Sequence, residues 1–404
     1  MSKPKPLIAI SLFVLCFGAF LNWMSYGLVY PIFASSIFHQ DAIFLGSASN
    51  ALRGLLLGIL LAACPLAQFF SSPFIGGLSD RKGRKPVMQM TTLLIVVGAL
   101  LSVLGVWQRS FSLLILGRIA TGIGAGNIAV INSSIADFSS KTVKTKNFAL
   151  VAMANGIGFA VGPFVGGKLS SSGFEIPFIF AGFLTVANYI LITLFFSETL
   201  VEKKRSAVRF AAQLHHLWKT TLSPKFRIIF SVFFIFCFGW SFYWEFIPVT
   251  WIKNYGLNVS QIGNFYAFGS LVYVVSSGVL IRPILNRFKA STILFGSLGA
   301  LGFFLLLLIG AKIESYWVNI GIQQFLIALI FPIGTAIVSD LTSPDQQGET
   351  LGVFQSLQAF AFAITPFLGG GLLNLSYGIP LILGGVSMLL ACLILLVGLS
   401  RKFF

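Results

Sequence analysis

GGLSDRKGRKP, residues 76–86, places five charged side chains within a few positions of one another. Only 9% of the chain is charged and 56% is hydrophobic, so this interval differs sharply from its surroundings. Long apolar segments flank it, one beginning near Leu55 and the other at Val87. About 20 apolar residues are enough to cross a bilayer as a helix. The interval is therefore predicted to be a short polar turn between two membrane-spanning helices.

Apolar segments of this length recur along the whole chain of 404 residues, whose mean hydropathy is +0.92. Such a chain has too little polar surface for a soluble domain of this size, and it lacks the alternating pattern of a membrane barrel. The predicted fold is all-α and integral to the membrane, with twelve transmembrane helices in two pseudo-symmetric six-helix bundles. The predicted spans begin near Leu7, Leu55, Val87, Phe111, Phe148, Phe178, Phe226, Ile262, Thr292, Tyr316, Leu351 and Leu381.

The net charge of +16 does not indicate a nucleic-acid ligand, because the basic residues follow the predicted topology. If the amino terminus is cytoplasmic, 21 of the 27 Lys and Arg residues lie on the cytoplasmic side. This asymmetry predicts that both termini are cytoplasmic and that the basic residues contact anionic membrane lipid. The first apolar stretch is too long for a signal peptide and is predicted to be a retained helix. The four cysteines show no metal or redox spacing, so we expect neither a metal nor a cofactor.

The longest polar interval separates six predicted spans from six. It predicts an N-terminal half over 1–197, a cytoplasmic linker over 198–225 and a C-terminal half over 226–404. A shift of 203 residues brings landmarks of the two halves into register, for example Asp137 with Asp340. Parallel halves of this kind are typical of alternating-access transporters.

A degenerate copy of the opening stretch follows the eighth predicted span, where the sequence reads RPILNRFKAS. In this copy Asn286 takes the place of Asp80, and Lys289 takes the place of Gly83. The second copy has lost both the acid and the glycine, so the first copy is predicted to be the functional one.

Residues 77–85 resemble the signature of the major facilitator superfamily, specifically its twelve-helix drug:proton antiporters, which include tetracycline efflux pumps. The resemblance covers essentially the whole chain. In that family this loop latches the two halves together on the cytoplasmic side, with its acid facing the start of helix eleven. A cluster that only sets topology is the alternative. The latch residues implied by the resemblance are Gly77, Asp80, Arg81, Gly83 and Arg84.

Two further motifs carry the resemblance. RIATGIGAG begins with Arg118, the only basic residue deep in a predicted span, and resembles the helix-four arginine that the family ties to proton coupling. An arginine that snorkels or bonds to backbone carbonyls is the alternative. GFAVGPFVGG resembles the helix-five signature of antiporters, with close helix packing as its alternative. The residues of this motif are Gly158, Gly162, Pro163, Gly166 and Gly167.

Glu245 is the only acid well inside a predicted span, and we expect it to carry the coupling proton. A solvated Glu245 near the periplasmic face is the alternative. The family's tetracycline pumps often carry an acid in helix one where this chain has Asn22, which counts against tetracycline as the substrate. Polar and amphipathic residues on the first helix of each half are expected to line the substrate cavity, although interfacial belts also collect Trp and Tyr. These residues are Asn22, Tyr26, Tyr30, Trp240, Tyr243 and Trp244.

Together these expectations describe a proton-coupled exporter of amphipathic or aromatic small molecules, cations included, in a cell inner membrane. The alternative is a facilitator for a specific metabolite, such as a siderophore or an amino acid, in either direction. A membrane enzyme is disfavoured because no metal cluster, catalytic triad or nucleotide-binding loop occurs in the sequence. The expected partners are a small-molecule substrate, protons and membrane lipid, with no nucleic acid, and the protein is expected to be a monomer.

Overall fold

The computed structural model describes residues 5–38, 44, 48–139, 141–200, 223–342, 347–373 and 375–400. Regular structure within these residues is entirely helical, which confirms the predicted all-α fold. The helices of the first half are α1 Lys5–Phe38, α2 Asn50–Lys82, α3 Arg84–Trp107, α4 Phe111–Ala125, α5 Ile128–Phe138, α6 Lys141–Leu169 and α7 Ile176–Phe195. Those of the second half are α8 Arg227–Tyr255, α9 Val259–Val275, α10 Ile281–Arg287, α11 Ala290–Leu306, α12 Ile313–Asp340, α13 Gln347–Leu372 and α14 Ile379–Ser400.

Ten segments of the described helices are long and apolar enough to cross a membrane. The apolar helix α11 is shorter, and α6 carries three lysines in its first two turns. With these two, the helical segments number twelve and correspond one to one with the twelve predicted spans. The largest difference between a predicted and an observed helix start is at α6, which begins at Lys141 and was predicted to begin near Phe148.

Two of the predicted spans are interrupted. The fourth consists of α4 and α5, which meet at Gly126 and Asn127. The eighth consists of α9 and α10, joined by a single π-helical turn over Ser276–Leu280. Such turns are rare within helices and occur often at functional positions.

The described helices form two compact units. The N-terminal unit comprises the described residues within Met1–Phe33 and Ala63–Gln213, and the C-terminal unit comprises those within Ala34–Ala62 and Leu214–Phe404. The helices α1 and α2 therefore contribute residues to both units. Most of the predicted linker, residues 201–222, lies outside the described residues.

The sequence repeat is present in the positions of the helix ends. The end of α6 at Leu169 and the end of α13 at Leu372 lie 203 residues apart, as do the starts of α7 at Ile176 and α14 at Ile379. The packing repeats as well, because α3 packs against α4 and α7, while its counterpart α11 packs against α12 and α14. Each unit therefore contains a bundle built on the same plan.

Candidate functional site

The latch loop, residues 76–86, forms the tight connection between α2 and α3. Gly83 links the two helices with a φ of 112°, a backbone conformation that residues with a side chain rarely adopt. A Cβ at this position would also lie 2.6 Å from Oε2 of Glu198. Gly77 lies in the last turns of α2, and the side chain of Arg81 is exposed. The geometry of this turn therefore requires glycine at position 83.

Arg84 is the buried centre of the latch loop. Its side chain forms ion pairs with Asp80 at 2.5 Å and with Asp137 of α5 at 2.9 Å. It also donates a hydrogen bond to Oγ of Ser79 at 2.7 Å. A buried guanidinium needs such compensation, and here two carboxylates supply it. One side chain thus connects the end of α2, the start of α3 and the end of α5.

Glu198 anchors the other side of the loop. Its two carboxylate oxygens accept hydrogen bonds from the backbone N–H groups of Arg84, at 2.9 Å, and Lys85, at 3.1 Å. A carboxylate is well placed there because the first N–H groups of a helix lack partners and carry partial positive charge. Burial alone raises the pKa of Glu198, but these two donors and the N–H groups of Leu200 and Thr199 outweigh it, so that the pKa is lowered.

Asp137 and Glu198 had no functional role in the sequence interpretation. Asp137 served only as a landmark of the repeat, and Glu198 belongs to SETL, which resembles the family's ending to helix six more weakly than the other motifs. The structure joins them through Thr199, whose hydroxyl donates to Oδ2 of Asp137 at 3.1 Å. The sequence signal that could have identified them is an acid at the C-terminal end of each of two separate spans, because such an acid can pair with a basic loop.

The glycines of the helix-five motif lie against α1. A Cβ added to Gly158, Gly162 or Gly166 would overlap the backbone carbonyl oxygens of Phe20, Met24 and Leu28, respectively. These three carbonyls follow one another at intervals of four residues, so the two helices are in close contact over two turns. Pro163 lies inside α6 against Gly27 of α1, and Gly167 is buried on α6.

Arg118 is buried in the middle of α4, with 3% of its surface exposed. Its guanidinium carbon lies 5.8 Å from the centre of the Phe33 ring, and Nε makes no hydrogen bond within the described residues. This position excludes an arginine that snorkels to a helix end. Arg118 and Arg84 belong to the same unit, yet only Arg84 has carboxylate partners among the described residues.

A polar cavity lies inside the N-terminal unit. Its lining comes from α1, α2, α3, α4 and α7 and from the break between α4 and α5, and every lining residue is uncharged. Asn22 lines this cavity and donates a hydrogen bond to Oδ1 of Asn127 at 2.6 Å. Thr121 of α4 and Asn188 of α7 also line it, and the side-chain oxygen of Asn188 is buried with no hydrogen bond from any described residue.

Aromatic side chains border this cavity on α1. Tyr26 lines it, and the rings of Tyr26 and Tyr30 meet edge to face with their centres 5.8 Å apart. The rings of Trp23 and Phe159 complete the cluster. Three of the predicted cavity residues, Asn22, Tyr26 and Tyr30, are thus brought together within one unit.

The other three predicted cavity residues lie on α8 in the C-terminal unit and are buried. Trp240 and Trp244 stack with ring centres 5.0 Å apart, and Trp240 contacts Tyr243. Tyr266 of α9 packs edge to face on Trp244 and donates a hydrogen bond to its carbonyl oxygen at 2.9 Å.

Glu245 lies within this aromatic region, with 1% of its surface exposed. Ser241, four residues earlier on α8, donates a hydrogen bond to Oε1 of Glu245 at 2.6 Å. The burial excludes the alternative of a solvated acid. A buried carboxyl in a membrane-spanning helix is costly and marks a candidate functional position.

Among the residues that the structure describes, no group of three or more His, Cys, Asp or Glu side chains is arranged to bind a metal ion.

Residues 12–327 match a family model described as the Major Facilitator Superfamily. Multidrug resistance protein 2 of Bacillus subtilis is 24% identical over 406 residues, covering 96% of this chain and 95% of that protein. Quinolone resistance protein NorA of Staphylococcus aureus is 26% identical over 387 residues, covering 93% and 94%. The crystal structure of the human organic anion transporter MFSD10 matches with a TM-score of 0.72 at 21% identity, covering 97% of this chain and 100% of that one.

Proposed function

Because the chain belongs to the major facilitator superfamily and is a multi-pass membrane transporter, we propose that it exports amphipathic or aromatic small molecules in exchange for protons. Glu245 carries the proton, and Arg118 of α4 takes part in its coupling, as the helix-four motif implies. The observation that supports this most strongly is a carboxyl with 1% exposure among stacked aromatic rings, bonded to Ser241 of its own helix. The relatives named for multidrug and quinolone resistance favour export and a broad aromatic substrate range.

The latch loop controls the conformational change. Its buried arginine and the acids around it connect the end of α2, the start of α3, the end of α5 and the residues after α7. Alternating access requires bundles that move as units between two arrangements, and these contacts support such a unit. The helix-five motif contributes through the close packing of α6 on α1.

The functional halves are residues 1–197 and 226–404, joined by a cytoplasmic linker over 198–225. The transporter acts as a monomer in the inner membrane, with both termini cytoplasmic, as the distribution of Lys and Arg favours. Anionic lipid contacts the basic loops.

The direction of transport and its coupling can be tested in one experiment. Inside-out membrane vesicles with an acidified interior would be given a fluorescent quinolone, and its accumulation would be followed with and without a protonophore. We expect accumulation that the protonophore abolishes. Accumulation in right-side-out vesicles instead would identify an importer. Equal uptake with and without the gradient would identify an uncoupled facilitator.

A further inference from the structure

Pro248 interrupts the backbone hydrogen bonding of α8 next to Glu245. A proline has no N–H group, so inside a helix it leaves the carbonyl four residues earlier without its intrahelical donor. For Pro248 this carbonyl belongs to Trp244. The carbonyl is part of the peptide bond that joins Trp244 to Glu245, so the missing bond lies at the residue proposed to carry the proton. In a membrane-spanning helix such a freed carbonyl needs another donor, because leaving it unpaired is costly.

Tyr266 of α9 supplies the missing donor. Its hydroxyl donates a hydrogen bond to the carbonyl oxygen of Trp244 at 2.9 Å, and the residue has 0% of its surface exposed. The centre of its ring lies 4.7 Å from that of Trp244 and 5.8 Å from that of Trp251. Trp244 precedes Pro248 and Trp251 follows it. One side chain of α9 therefore contacts α8 on both sides of the proline.

The phenol of Tyr266 also lies close to the proposed proton carrier, because it interacts electrostatically with the carboxyl of Glu245. Ser241 donates to Oε1 of that carboxyl at 2.6 Å. Ser241 thus holds the carboxyl group, and Tyr266 holds the peptide unit from which this side chain extends. An internal proline also bends a helix at its own turn, so the backbone at Glu245 depends on contacts from outside α8.

We propose that Tyr266 is a positioning residue of the transport cycle, whose hydroxyl replaces the N–H group that Pro248 lacks and holds the backbone of α8 at Glu245. The proposal rests on the proposed role of Glu245 and adds a second residue to it. A functional group has to be held within about 0.5 Å of its working position. Loss of the hydroxyl therefore weakens the coupling of proton movement to transport and leaves downhill passage of the substrate in place.

The replacement of the N–H group is tested by a double-mutant cycle on stability. Tyr266→Phe removes only the hydroxyl and should lower the Tm of the purified protein in detergent by a few degrees, because the Trp244 carbonyl loses its donor. Pro248→Ala restores an N–H group for this carbonyl. In that background Tyr266→Phe should lower the Tm by less than half as much. Equal losses of Tm in the two backgrounds would overturn the inference.

The positioning role is tested by transport in inside-out vesicles whose interior is one pH unit more acidic, with the fluorescent quinolone as the probe. Tyr266→Phe should lower the steady accumulation ratio at least about threefold, because a displaced catalytic or coupling group works poorly. The rate of downhill uptake without a gradient, per amount of folded transporter, should stay within about twofold of the wild type. A lowered Tm with an unchanged accumulation ratio would make Tyr266 a purely structural residue and overturn the positioning role.

Tyr273→Phe is the matched control for both measurements. Tyr273 lies on the same helix, and among the described residues its hydroxyl donates no hydrogen bond to α8. Its Tm, its accumulation ratio and its downhill rate should equal those of the wild type. The same losses in Tyr273→Phe as in Tyr266→Phe would show that any missing hydroxyl on α9 has this effect, which contradicts the proposal.

Failure of the proposed export function gives a different result. If the wild-type protein accumulates no probe under the gradient, proton-coupled export and the positioning role built on it are wrong, while the Tm cycle still decides whether Tyr266 replaces the missing N–H group. If the wild type accumulates the probe and Tyr266→Phe matches it in both Tm and accumulation ratio, the export function stands and the inference is wrong.

Discussion

Arg118 in the N-terminal unit and Glu245 in the C-terminal unit are both almost fully buried, but only the second has a partner on its own helix. The difference matters because a carboxyl can become neutral by binding a proton, whereas a guanidinium remains charged. The acid is therefore suited to the proposed role of proton carrier, whereas the arginine keeps its charge in every state.

The largest effect on transport is expected for Glu245→Gln, which removes the proposed proton carrier. A glutamine keeps the shape and the hydrogen bond with Ser241 but cannot titrate, so coupling should be lost completely. A proton moving down one pH unit supplies ~1.4 kcal/mol, which corresponds to tenfold accumulation. In vesicles with that gradient and no membrane potential, we expect the accumulation ratio of the probe to fall from about ten to one.

The matched control for this change is Glu314→Gln, which removes an exposed acid from the first turn of α12. Its accumulation ratio should equal that of the wild type. Gradient-driven accumulation by Glu245→Gln would show that another group carries the proton.

A second comparison concerns α6 and α13, the corresponding helices of the two units, which both contain a proline and several glycines. Gly162 of α6 corresponds to Thr365 of α13 in the repeat, and Thr365 fits by donating a hydrogen bond to the carbonyl of Ala361 at 2.7 Å. Gly162→Thr should lower stability by about 3 kcal/mol, because its Cβ would overlap the carbonyl oxygen of Met24. Thr365→Gly should cost only about 1 kcal/mol.

The measurement for this pair is the yield of monodisperse protein and its Tm in the same detergent. We expect a large loss for Gly162→Thr and a small one for Thr365→Gly. Equal losses would mean that the two units tolerate the same side chains at this position, and that the glycine face has no special packing role.

Much of this architecture could be predicted from the sequence, because spans in a membrane are set by length and hydropathy. The break between α4 and α5 was not predicted, since Gly126 and Asn127 lie within a continuous apolar pattern. The burial of Glu245 followed from its position in a span. That Arg118 has no carboxylate partner among the described residues did not follow from the sequence. Sequence position shows that a residue lies in a helix and does not show which side chains face it.

The network around the latch loop was beyond sequence reasoning for the same reason. Glu198 meets the N–H group of Arg84 across 114 positions, and Asp137 meets its guanidinium across 53. Contacts this distant depend on how helices pack, which local patterns do not specify.

The two copies of the latch loop allow a smaller test. Gly83 has a φ of 112°, whereas Lys289 at the corresponding place has an extended backbone with a φ of −64°. Gly83→Ala should therefore destabilise the protein by about 1–3 kcal/mol and slow transport. Lys289→Ala should change stability by less than about 0.5 kcal/mol. Tm and initial transport rates decide this, and a neutral Gly83→Ala would argue against a strained, functional turn.

The smallest effect is expected at Glu198, and it depends on pH. The pKa of this carboxyl is lowered in the folded protein, so its stabilisation is complete above the ordinary value of 4.5 and disappears as the pH falls through the lowered one. Glu198→Gln should accordingly lower the Tm by a few degrees near neutral pH, and the difference from the wild type should close in acid. Glu175→Gln is the matched control, because Glu175 precedes α7 without a side-chain hydrogen bond to that helix. Its Tm should follow the wild type at every pH. A Tm difference for Glu198→Gln that stays constant down to pH 3.5 would mean that the carboxylate charge does not hold the start of α3, and that Arg84 alone fixes the latch loop.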